Sequence, residues 1–362
     1  MKFAQHVRNL RLLSFLNHMD VYAAILFRYD PVTFEGARFC DARVWSVYLQ
    51  VADAEEDVEQ YLDYAQGYNL TNRLPMFVKV DPSKLLTVNA TFWLMRNHYE
   101  GTWLDPSLDV GSGIDASPYR LGASLTWSYE GADYVNERFI GTQAAAWSFI
   151  ANQRKEQRYS VLWFGVDDST FSVKTPFYGA TSEVPSSYSG ANCTGRSACR
   201  EASGLPGSIT SYTLETMHWI TNQVANYAYS RYATIAPAVW DAIVETESSH
   251  FDAVAAMDAK LLAMSDTEAA AAATAFSYTT ATATHARWVR LFGELFVKFV
   301  DGAILQSDPQ EETCGCSKAT PGFTEKEKER IVNTTGTHYL VPEDVKKQVR
   351  PLARSKLEII SK

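Results

Sequence analysis

The spacing of apolar residues along the chain predicts helices at both ends and strands in the middle. Residues 1 to about 98 show mostly helical spacing, although Arg43–Val51 suits either a strand or a short helix. Between Ser124 and Tyr178 the apolar runs are short and strand-like, and the Asp167-Asp168-Ser169 turn between two of them predicts a hairpin. In residues 211–299 the apolar residues again recur every three or four positions, which is helical spacing. This order of helices, strands and helices predicts an α+β fold built in layers.

Individual elements follow from the same pattern. Residues 1–30 predict a helix and then an apolar segment, Val21–Phe27, which ends at Asp30-Pro31. Further helices are predicted at residues 53–64, 88–98, 211–232, after Pro237, from Thr284 to about Phe299 and at 325–332, and strands at residues 144–150, 159–166 and 170–178. Residues 183–210 are rich in Ser, Gly and Pro and predict a long surface loop. We expect one domain over residues 1–306 and a polar extension over residues 307–362.

Composition and charge argue against several classes of function. The chain has 362 residues, a hydrophobic fraction of 46% and a net charge of −9. It can therefore bury a sizeable core, but it lacks the cationic face that a nucleic acid requires. No run reaches the roughly 18 apolar residues of a membrane span. Aromatic residues make up 13%, which favours an aromatic-rich core over an aromatic-lined groove for a ligand such as a carbohydrate.

The cysteines and glycosylation triplets predict an oxidising compartment. Cys193 and Cys199 flank a short polar loop and predict a local disulfide. Cys314-Gly315-Cys316 is too tight for an ordinary zinc pair and predicts either a strained or an intersubunit redox pair. Asn-x-Ser/Thr triplets occur at Asn69, Asn89, Asn192 and Asn333. Together these features indicate a secretory, lysosomal or extracellular protein, although residues 1–8 lack the apolar region of a signal peptide.

The stretch Asn97–Asp105 carries the densest group of chemically active residues. Its sequence, Asn-His-Tyr-Glu-Gly-Thr-Trp-Leu-Asp, combines two carboxylates, a histidine and two aromatic rings, and it fits no ordinary amphipathic helix or strand. Glu100 and Asp105 are therefore candidate site carboxylates. The alternative is a turn in which both acids cap backbone amides.

Five stretches, in order along the chain, resemble one peptidase family. Arg96 followed by Asn97–Asp105 resembles the motif R-x-H-Y-E-G-T-x-x-D, and Ser117–Arg120 resembles the proline-arginine step that follows it. The other matches are Glu137-Arg138 with Ala151–Arg154, Trp163–Asp168 with Pro176–Gly179, and the helix Trp219–Tyr232. The family is the cysteine-type dipeptidases of the N-terminal-nucleophile (Ntn) hydrolases, a group that also includes the secernins. The resemblance covers residues 96–232, with weaker similarity on both flanks.

This resemblance implies a fold, a reaction and a substrate. The expected fold is an αββα sandwich, in which two stacked antiparallel sheets lie between helical layers. The expected nucleophile is an N-terminal cysteine whose own α-amino group acts as general base, because that amine titrates near neutral pH. The expected substrates are dipeptides or other short peptides. No cofactor is expected, since no metal constellation or phosphate loop is present in the sequence.

The chain departs from the family pattern at the nucleophile. Position 1 is Met, the first cysteine is Cys40, and Cys40 could supply an α-amino group only if residues 1–39 were removed. We therefore expect an N-terminally shortened member whose sandwich lacks its first strands and whose catalytic nucleophile is absent. One hypothesis is a dipeptidase-family hydrolase in a shortened form, which comes either from a truncated gene model or from a split enzyme; its candidate partners are a homo-oligomer or a complementing N-terminal fragment. The other is a non-catalytic homologue that acts as a binding or structural protein.

Several polar residues are candidates for the substrate site. Glu100 and Asp105 are expected either to bind the substrate amine or to orient a neighbouring group. Arg138 and Arg154 either bind the substrate carboxylate or pair with internal acids. Asn152 or Gln153 is expected to support an oxyanion.

The remaining polar residues of the motifs favour structural roles. His98 is expected to be structural, because the family's chemistry needs no histidine. Asp167 and Asp168 are expected to serve the turn, since adjacent residues of a strand point to opposite faces. Asn222 and Asn226 lie one turn apart on a helix and are expected to support the sheet below.

Overall fold

The computed structural model describes most of the chain between residues 32 and 342. The described ranges are residues 32–84, 86–120, 124–156, 159–189, 211–312 and 314–342. The helix and apolar segment that the sequence predicts over residues 1–30 lie outside these ranges, as does most of the predicted 183–210 loop. Within the described ranges, no helix is both long enough and apolar enough to cross a membrane.

A layer of short helices opens the described part of the chain. Helix α1 (Phe34–Gly36) continues through a π-helical turn (Ala37–Asp41) into α2 (Ala42–Val51), and a 3-10 turn (Glu59–Tyr61) leads into α3 (Leu62–Ala65). Of the two structures predicted for residues 43–51, the helix is therefore the one that forms. Trp45 and Tyr64 share a buried apolar cluster with Tyr99 and Phe139. This cluster anchors the Asn97–Asp105 stretch, through Tyr99, to the helical layer.

Three antiparallel sheets contain the named strands of the described residues. β1 (Thr126–Tyr129) pairs with β2 (Ala132–Val135), and β6 (Ile304–Ser307) pairs with β7 (Cys316–Ala319). The largest sheet has the order β3 (Trp147–Asn152), β4 (Val161–Val166), β5 (Thr175–Tyr178). Ser148 lies opposite Gly165, and Trp163 lies opposite Pro176. Pro176 has no N–H to donate and is tolerated because β5 is an edge strand. The predicted hairpin around Asp167-Asp168-Ser169 is confirmed.

Three long helices cover one face of the large sheet. α6 (Met217–Ser230) packs against β4, whereas α7 (Tyr232–Leu261) and α8 (Asp266–Lys298) pack against β5. Val224, Val239 and Trp288, one from each helix, are buried together with Phe171 in the main core. The sheet and its helical layer thus form the frame on which the turn after β4 is mounted.

The remaining helices differ from the predictions mainly in length. The helix predicted at 88–98 is α4 (Val88–Leu94), and a short α5 (Ser186–Ser189) begins the predicted loop. α7 begins at Tyr232 rather than after Pro237, so Pro237 lies inside the helix, in its second turn, where it removes one main-chain hydrogen bond. α8 begins at Asp266 rather than Thr284, because its alanine-rich start has high helix propensity and a capping box formed by Ser265 and Glu268. The predicted C-terminal helix is confirmed as α9 (Glu325–Thr335), and the predicted domain boundary at residue 306 falls within β6.

The other face of the large sheet is exposed and aromatic. The ring of Trp147 stacks on those of Phe149 and Phe164, with centroids 5.6 and 6.2 Å apart. Trp147 is 55% exposed and Phe149 45%, so no second sheet stacks on this face within the described residues. The predicted α+β class is confirmed, and the αββα sandwich remains an expectation.

A buried ion pair joins three parts of the fold. Arg96, which follows α4, donates to Glu247 of α7 through two nitrogens, at 2.6 and 3.1 Å, and to the carbonyl of Ser172 at 2.9 Å. Oε1 of Glu247 also accepts the N–H of Lys174, just before β5, at 2.8 Å. The two paired side chains are only 3% and 4% exposed. Each charge therefore depends on the other for its stabilisation.

Glu247→Gln is expected to lower the free energy of unfolding by about 3–5 kcal/mol, because Arg96 then carries a buried charge without a counter-charge. Adding Arg96→Met to Glu247→Gln is expected to recover part of the loss. Urea unfolding of the wild type and both variants measures these differences. The matched control is Glu294→Gln, which breaks a more exposed pair with Arg287 and should cost less than about 1 kcal/mol. Equal losses in Glu247→Gln and Glu294→Gln would contradict the role given to the buried pair.

Candidate functional site

A cleft of about 270 Å³ lies beyond the carboxyl end of β4. Four segments form its wall: the stretch around Tyr119, the loop before β3, the turn after β4 and helix α6. The lining residues are Tyr119, Gln143, Ala144, Asp168, Asn222, Ala225, Asn226 and Tyr229. Sites for drug-sized ligands usually measure roughly 300–1,000 Å³, so this cleft suits a smaller ligand.

A second groove is larger but offers less chemistry. It measures about 580 Å³ and runs between the segment Ala180–Glu183 and the alanine- and threonine-rich part of α8. Glu183 is the charged residue in its lining. The smaller cleft, which has a buried carboxylate, two phenols and three amides in its wall, is therefore the better candidate for a site.

Asp167 directs its carboxylate towards α6. Its backbone is left-handed, with φ at +67°, a conformation that residues other than glycine rarely adopt. Oδ2 accepts a hydrogen bond from Nδ2 of Asn222 at 3.1 Å, and Oδ1 lies 3.5 Å from Nδ1 of His218. Burial raises the pKa of Asp167, while His218 and Asn222 act in the opposite direction. Backbone strain of this kind concentrates at functional sites.

Asp168 forms a buried wall of the cleft. Its Oδ2 accepts from the hydroxyl of Tyr229 at 2.7 Å, and its Oδ1 accepts from the N–H of Thr170 at 2.8 Å. Burial raises the pKa of Asp168 to about 6, although both hydrogen bonds oppose that rise. The carboxyl group therefore gains its negative charge just below neutral pH.

The expectation that Asp167 and Asp168 point to opposite faces is wrong. Both carboxylates bond to the same helix, Asp167 through Asn222 and Asp168 through Tyr229. The alternation of a strand no longer applies, because β4 has ended and Asp167 has left the extended conformation. The two acids therefore form one feature with α6.

Hydrogen bonds connect this turn to the Asn97–Asp105 stretch. The hydroxyl of Thr170 donates to the carbonyl of Gly141 at 2.7 Å and lies 2.8 Å from Nε2 of His98. Nδ1 of His98 lies 2.7 Å from Oε1 of Glu100. Burial raises the pKa of Glu100, but its contacts with His98 outweigh that effect and lower it. His98 is thus a buried connecting residue, in line with its predicted structural role.

The charges of three carboxylates act on the pKa of one phenol beside the cleft. Burial raises the pKa of Tyr232, and the negative charges of Glu100, Asp168 and Asp105 raise it further. The ring of Tyr232 stacks on that of Tyr229, a residue of the cleft wall, with centroids 6.0 Å apart. Of the two acids predicted from the Asn97–Asp105 stretch, Glu100 is linked to Asp168 through His98 and Thr170.

Asp105 also has the turn-capping role that the sequence left open. Its Oδ1 accepts the N–H of Ser107 at 2.8 Å, and its Oδ2 accepts the N–H of Gly101 at 3.2 Å. Capping and an electrostatic contribution to the cleft are compatible, because a carboxylate retains its charge when it accepts backbone hydrogen bonds.

A buried lysine lies under the sheet close to the turn. Nζ of Lys174 donates to the hydroxyls of Ser148 at 2.7 Å and Ser172 at 2.9 Å. A Cβ atom at Gly165 would lie 2.6 Å from this nitrogen, so glycine leaves the space that Lys174 occupies. Burial, and then the positive charge of Arg96, lower the pKa of Lys174 to about 7. The amine is therefore partly neutral at physiological pH.

Four other predicted site residues lie away from the cleft. Asn152 pairs with Val161, the first residue of β4, and so lies with Gln153 and Arg154 at the opposite end of the strand from Asp167. Arg154 forms an ion pair with Asp258, which is the second of its two predicted roles, pairing with an acid of the protein itself. Arg138 is exposed, and its carbonyl accepts from the hydroxyl of Tyr99 at 2.9 Å. The substrate roles of these residues stay predictions.

The predicted cysteine and glycosylation features are only partly described. Cys193, Cys199 and Asn192 lie outside the described residues. Asn89 and Asn333 are exposed, whereas Asn69 is partly buried and donates to Asp63 at 2.8 Å. Cys314 and Cys316 are bonded to each other within the chain rather than between subunits. No cluster of three or more side chains suited to a metal ion occurs in the described ranges.

Sequence reasoning does not place Asp168, Tyr229 and the asparagines of α6 in one cleft wall. The available signal was a pair of acids directly after an apolar strand, together with a helix that places Asn222, Asn226 and Tyr229 on one face. That signal becomes informative only when the helix is known to cross the end of the strand.

The sequence comparison agrees with the resemblance seen in the motifs. The pattern of peptidase family C69 matches residues 17–245, more than half of the chain. The chain therefore belongs to peptidase family C69, the family of dipeptidase- and secernin-type cysteine peptidases. Among curated proteins, none matches the chain. Three of the stretches that carried the resemblance, around Tyr119, Asp168 and Asn222, meet at the cleft.

Lys174 is expected to make stability depend on pH above neutrality. Its pKa is about 7 in the folded protein and about 10.4 in an unfolded chain. Between these values the unfolded chain binds a proton that the folded protein does not. The free energy of unfolding should therefore rise with pH, by up to about 1.4 kcal/mol per unit, and fall as the pH drops towards 7.

Lys174→Met should remove most of this slope in urea unfolding between pH 7 and 9. The matched control is Lys260→Met, which changes an exposed lysine of α7 and should keep the wild-type slope. An unchanged slope in Lys174→Met would show that Lys174 stays protonated in the folded protein.

Proposed function

We propose that this protein is a dipeptidase-type hydrolase and that the cleft beside Asp168 holds the amino-terminal end of a dipeptide or short peptide. The observation that carries the proposal is the buried carboxylate of Asp168, which is held by Tyr229 in the wall of the cleft beside Asn222 and Asn226. A peptide ammonium group gains most from a partly buried carboxylate, because charge-assisted hydrogen bonds strengthen where water is excluded. The volume of about 270 Å³ suits a ligand of this size.

Hydrogen-bond geometry gives the two aspartates separate tasks in this proposal. Tyr229 and Thr170 hold the carboxylate of Asp168 in one orientation, so that its remaining acceptor positions are available to the ligand. Asp167 fixes Asn222, whose amide lines the cleft next to that of Asn226. The asparagine amides are then placed to bond the peptide group of the substrate.

The attacking thiolate is proposed to come from outside the described cleft wall. The described lining residues include no cysteine, serine or threonine. Cys40 lies inside the π-helical turn Ala37–Asp41, where its nitrogen is a peptide amide and cannot serve as an α-amino base. The proposal assigns both thiolate and base to an N-terminal cysteine, as the family resemblance implies.

The exposed aromatic face of the large sheet supports the same proposal. A face that leaves Trp147 and Phe149 half exposed is costly in water and favours a covering element. In an αββα sandwich that element is the second sheet.

A secretory, lysosomal or extracellular location is part of the proposal. The exposed Asn89 and Asn333 triplets and the Cys314–Cys316 disulfide support it, because disulfides persist in oxidising compartments.

The proposal predicts peptide binding that depends on the charge of Asp168. Asp168→Asn is expected to weaken the binding of a dipeptide with a free amino terminus by about 10- to 100-fold at pH 7, since a hydrogen bond to a charged group is lost. Wild-type affinity should rise between pH 5 and 7, because Asp168 ionises at a pKa of about 6, and fall above about pH 8, where the α-amine loses its proton. In Asp168→Asn the rise should be absent. Isothermal titration calorimetry with alanyl-alanine measures both effects.

Two controls make this experiment decisive. Asp258→Asn changes the acid paired with Arg154 at the far end of β4 and should leave affinity unchanged. N-acetylated alanyl-alanine should not bind, because it has no ammonium group. Equal binding of the acetylated peptide would contradict the role given to Asp168 and would support a non-catalytic homologue with another ligand.

A further inference from the structure

A small disulfide ring closes within the β6–β7 hairpin, and neither of its cysteines lines the cleft. Cys314 and Cys316 are bonded to each other across a single residue, with their Cα atoms 5.2 Å apart. Cys314 is exposed and Cys316, the first residue of β7, is partly exposed. An exposed sulfur atom is open to attack by a thiolate, which is the requirement for thiol–disulfide exchange.

The residue inside the ring holds the conformation that the disulfide needs. Gly315 has φ at +64°, in the left-handed region that favours glycine. Its N–H donates to the carbonyl of Glu311 at 3.0 Å, and its carbonyl accepts from the N–H of Asp308 at 2.8 Å. A Cβ atom at Gly315 would meet nothing within 4 Å. The ring therefore rests on the backbone of its own turn and is not packed against the core.

This placement gives the disulfide little value as a structural crosslink. A disulfide stabilises a fold mainly by closing a loop in the unfolded chain, and the gain grows with loop length. A bond between residues two positions apart closes a very short loop, and the antiparallel pairing of β6 with β7 already fixes the hairpin. The bond is thus free to open without loss of the surrounding fold.

We propose that Cys314-Gly315-Cys316 is a thiol–disulfide exchange site for low-molecular-weight thiols. A thiolate attacks Sγ of Cys314, the sulfur–sulfur bond breaks, and Cys316 leaves as the thiolate while a mixed disulfide forms on Cys314. When the attacking molecule is a dithiol, its second thiolate then attacks its first sulfur, the one bonded to Cys314. A cyclic disulfide of the dithiol forms, and Cys314 leaves as the thiolate. Two electrons pass from the dithiol to the cysteine pair, and the two protons of the dithiol end on the cysteine thiols.

The charges around the ring favour cationic over anionic thiols. Asp308, Glu311 and Glu312 lie in the turn that leads into the ring, and Lys318 is the cation two residues beyond Cys316 on the same face of β7. The three acids outnumber the lysine, so the local potential repels a thiol that carries a carboxylate or sulfonate. Lys318 stabilises the Cys316 thiolate as it leaves.

The test is an equilibrium titration of the full chain against reduced and oxidised dithiothreitol. Free thiols are trapped by alkylation, and the peptide that contains Cys314 and Cys316 is quantified by mass spectrometry. Gly315→Ala should make reduction about fivefold more favourable, because the ring then forces an alanine into a left-handed backbone. Gly322→Ala places an alanine at another open left-handed position, φ +70°, outside the ring, and should leave the equilibrium unchanged.

The rate experiment compares two thiols of opposite charge. At equal thiolate concentration and low salt, cysteamine should open the ring several times faster than 2-mercaptoethanesulfonate, and added salt should reduce the difference. A pair that resists a large excess of reduced dithiothreitol while the fold stays intact would overturn the proposal. Equal responses of Gly315→Ala and Gly322→Ala would also overturn it.

Discussion

The buried pair of Arg96 and Glu247 is the interaction on which the arrangement of the other parts depends. Arg96 precedes the Asn97–Asp105 stretch, Glu247 lies in the middle of α7, and both bond to the chain just before β5. Three segments distant in sequence therefore meet at one charge pair. Because the pair is shielded from water, small displacements of any of the three segments would leave a charge without its partner.

This ion pair also helps to fix the geometry of the candidate site. The hydrogen bond from Arg96 to the carbonyl of Ser172 fixes the chain two residues beyond Thr170, and Thr170 links Asp168 to His98 and Glu100. Lys174 lies on the other side of Ser172 and is buried beneath the same sheet. Burial raises the pKa of Asp168 and lowers that of Lys174. Exclusion of water thus makes the Arg96–Glu247 pair sensitive to the loss of either charge, and it also moves the pKa values of Asp168 and Lys174 towards neutral pH. A change in protonation near neutral pH then alters binding or stability.

Sequence reasoning predicts well those features that neighbouring residues decide. The strand Val161–Val166 and its hairpin follow from local apolar spacing and a turn. The left-handed backbone of Asp167 is harder to predict from sequence, because it depends on contacts with α6, more than fifty residues later in the chain. The pairing of Arg154 with Asp258 spans 104 residues and leaves no local pattern. Apolar spacing does not predict that α8 begins at Asp266, because alanine supplies helix propensity without a marked apolar periodicity.

The central claim is that the amino end of a peptide lies against Asp168. A crystal structure of the chain with bound alanyl-alanine, at pH 7, tests this most directly. The account predicts electron density in the cleft between Tyr119 and α6, with the peptide nitrogen within about 3 Å of a carboxylate oxygen of Asp168. A dipeptide bound at the other end of β4, beside Arg154 and Asn152, with an empty cleft at Asp168, would contradict it.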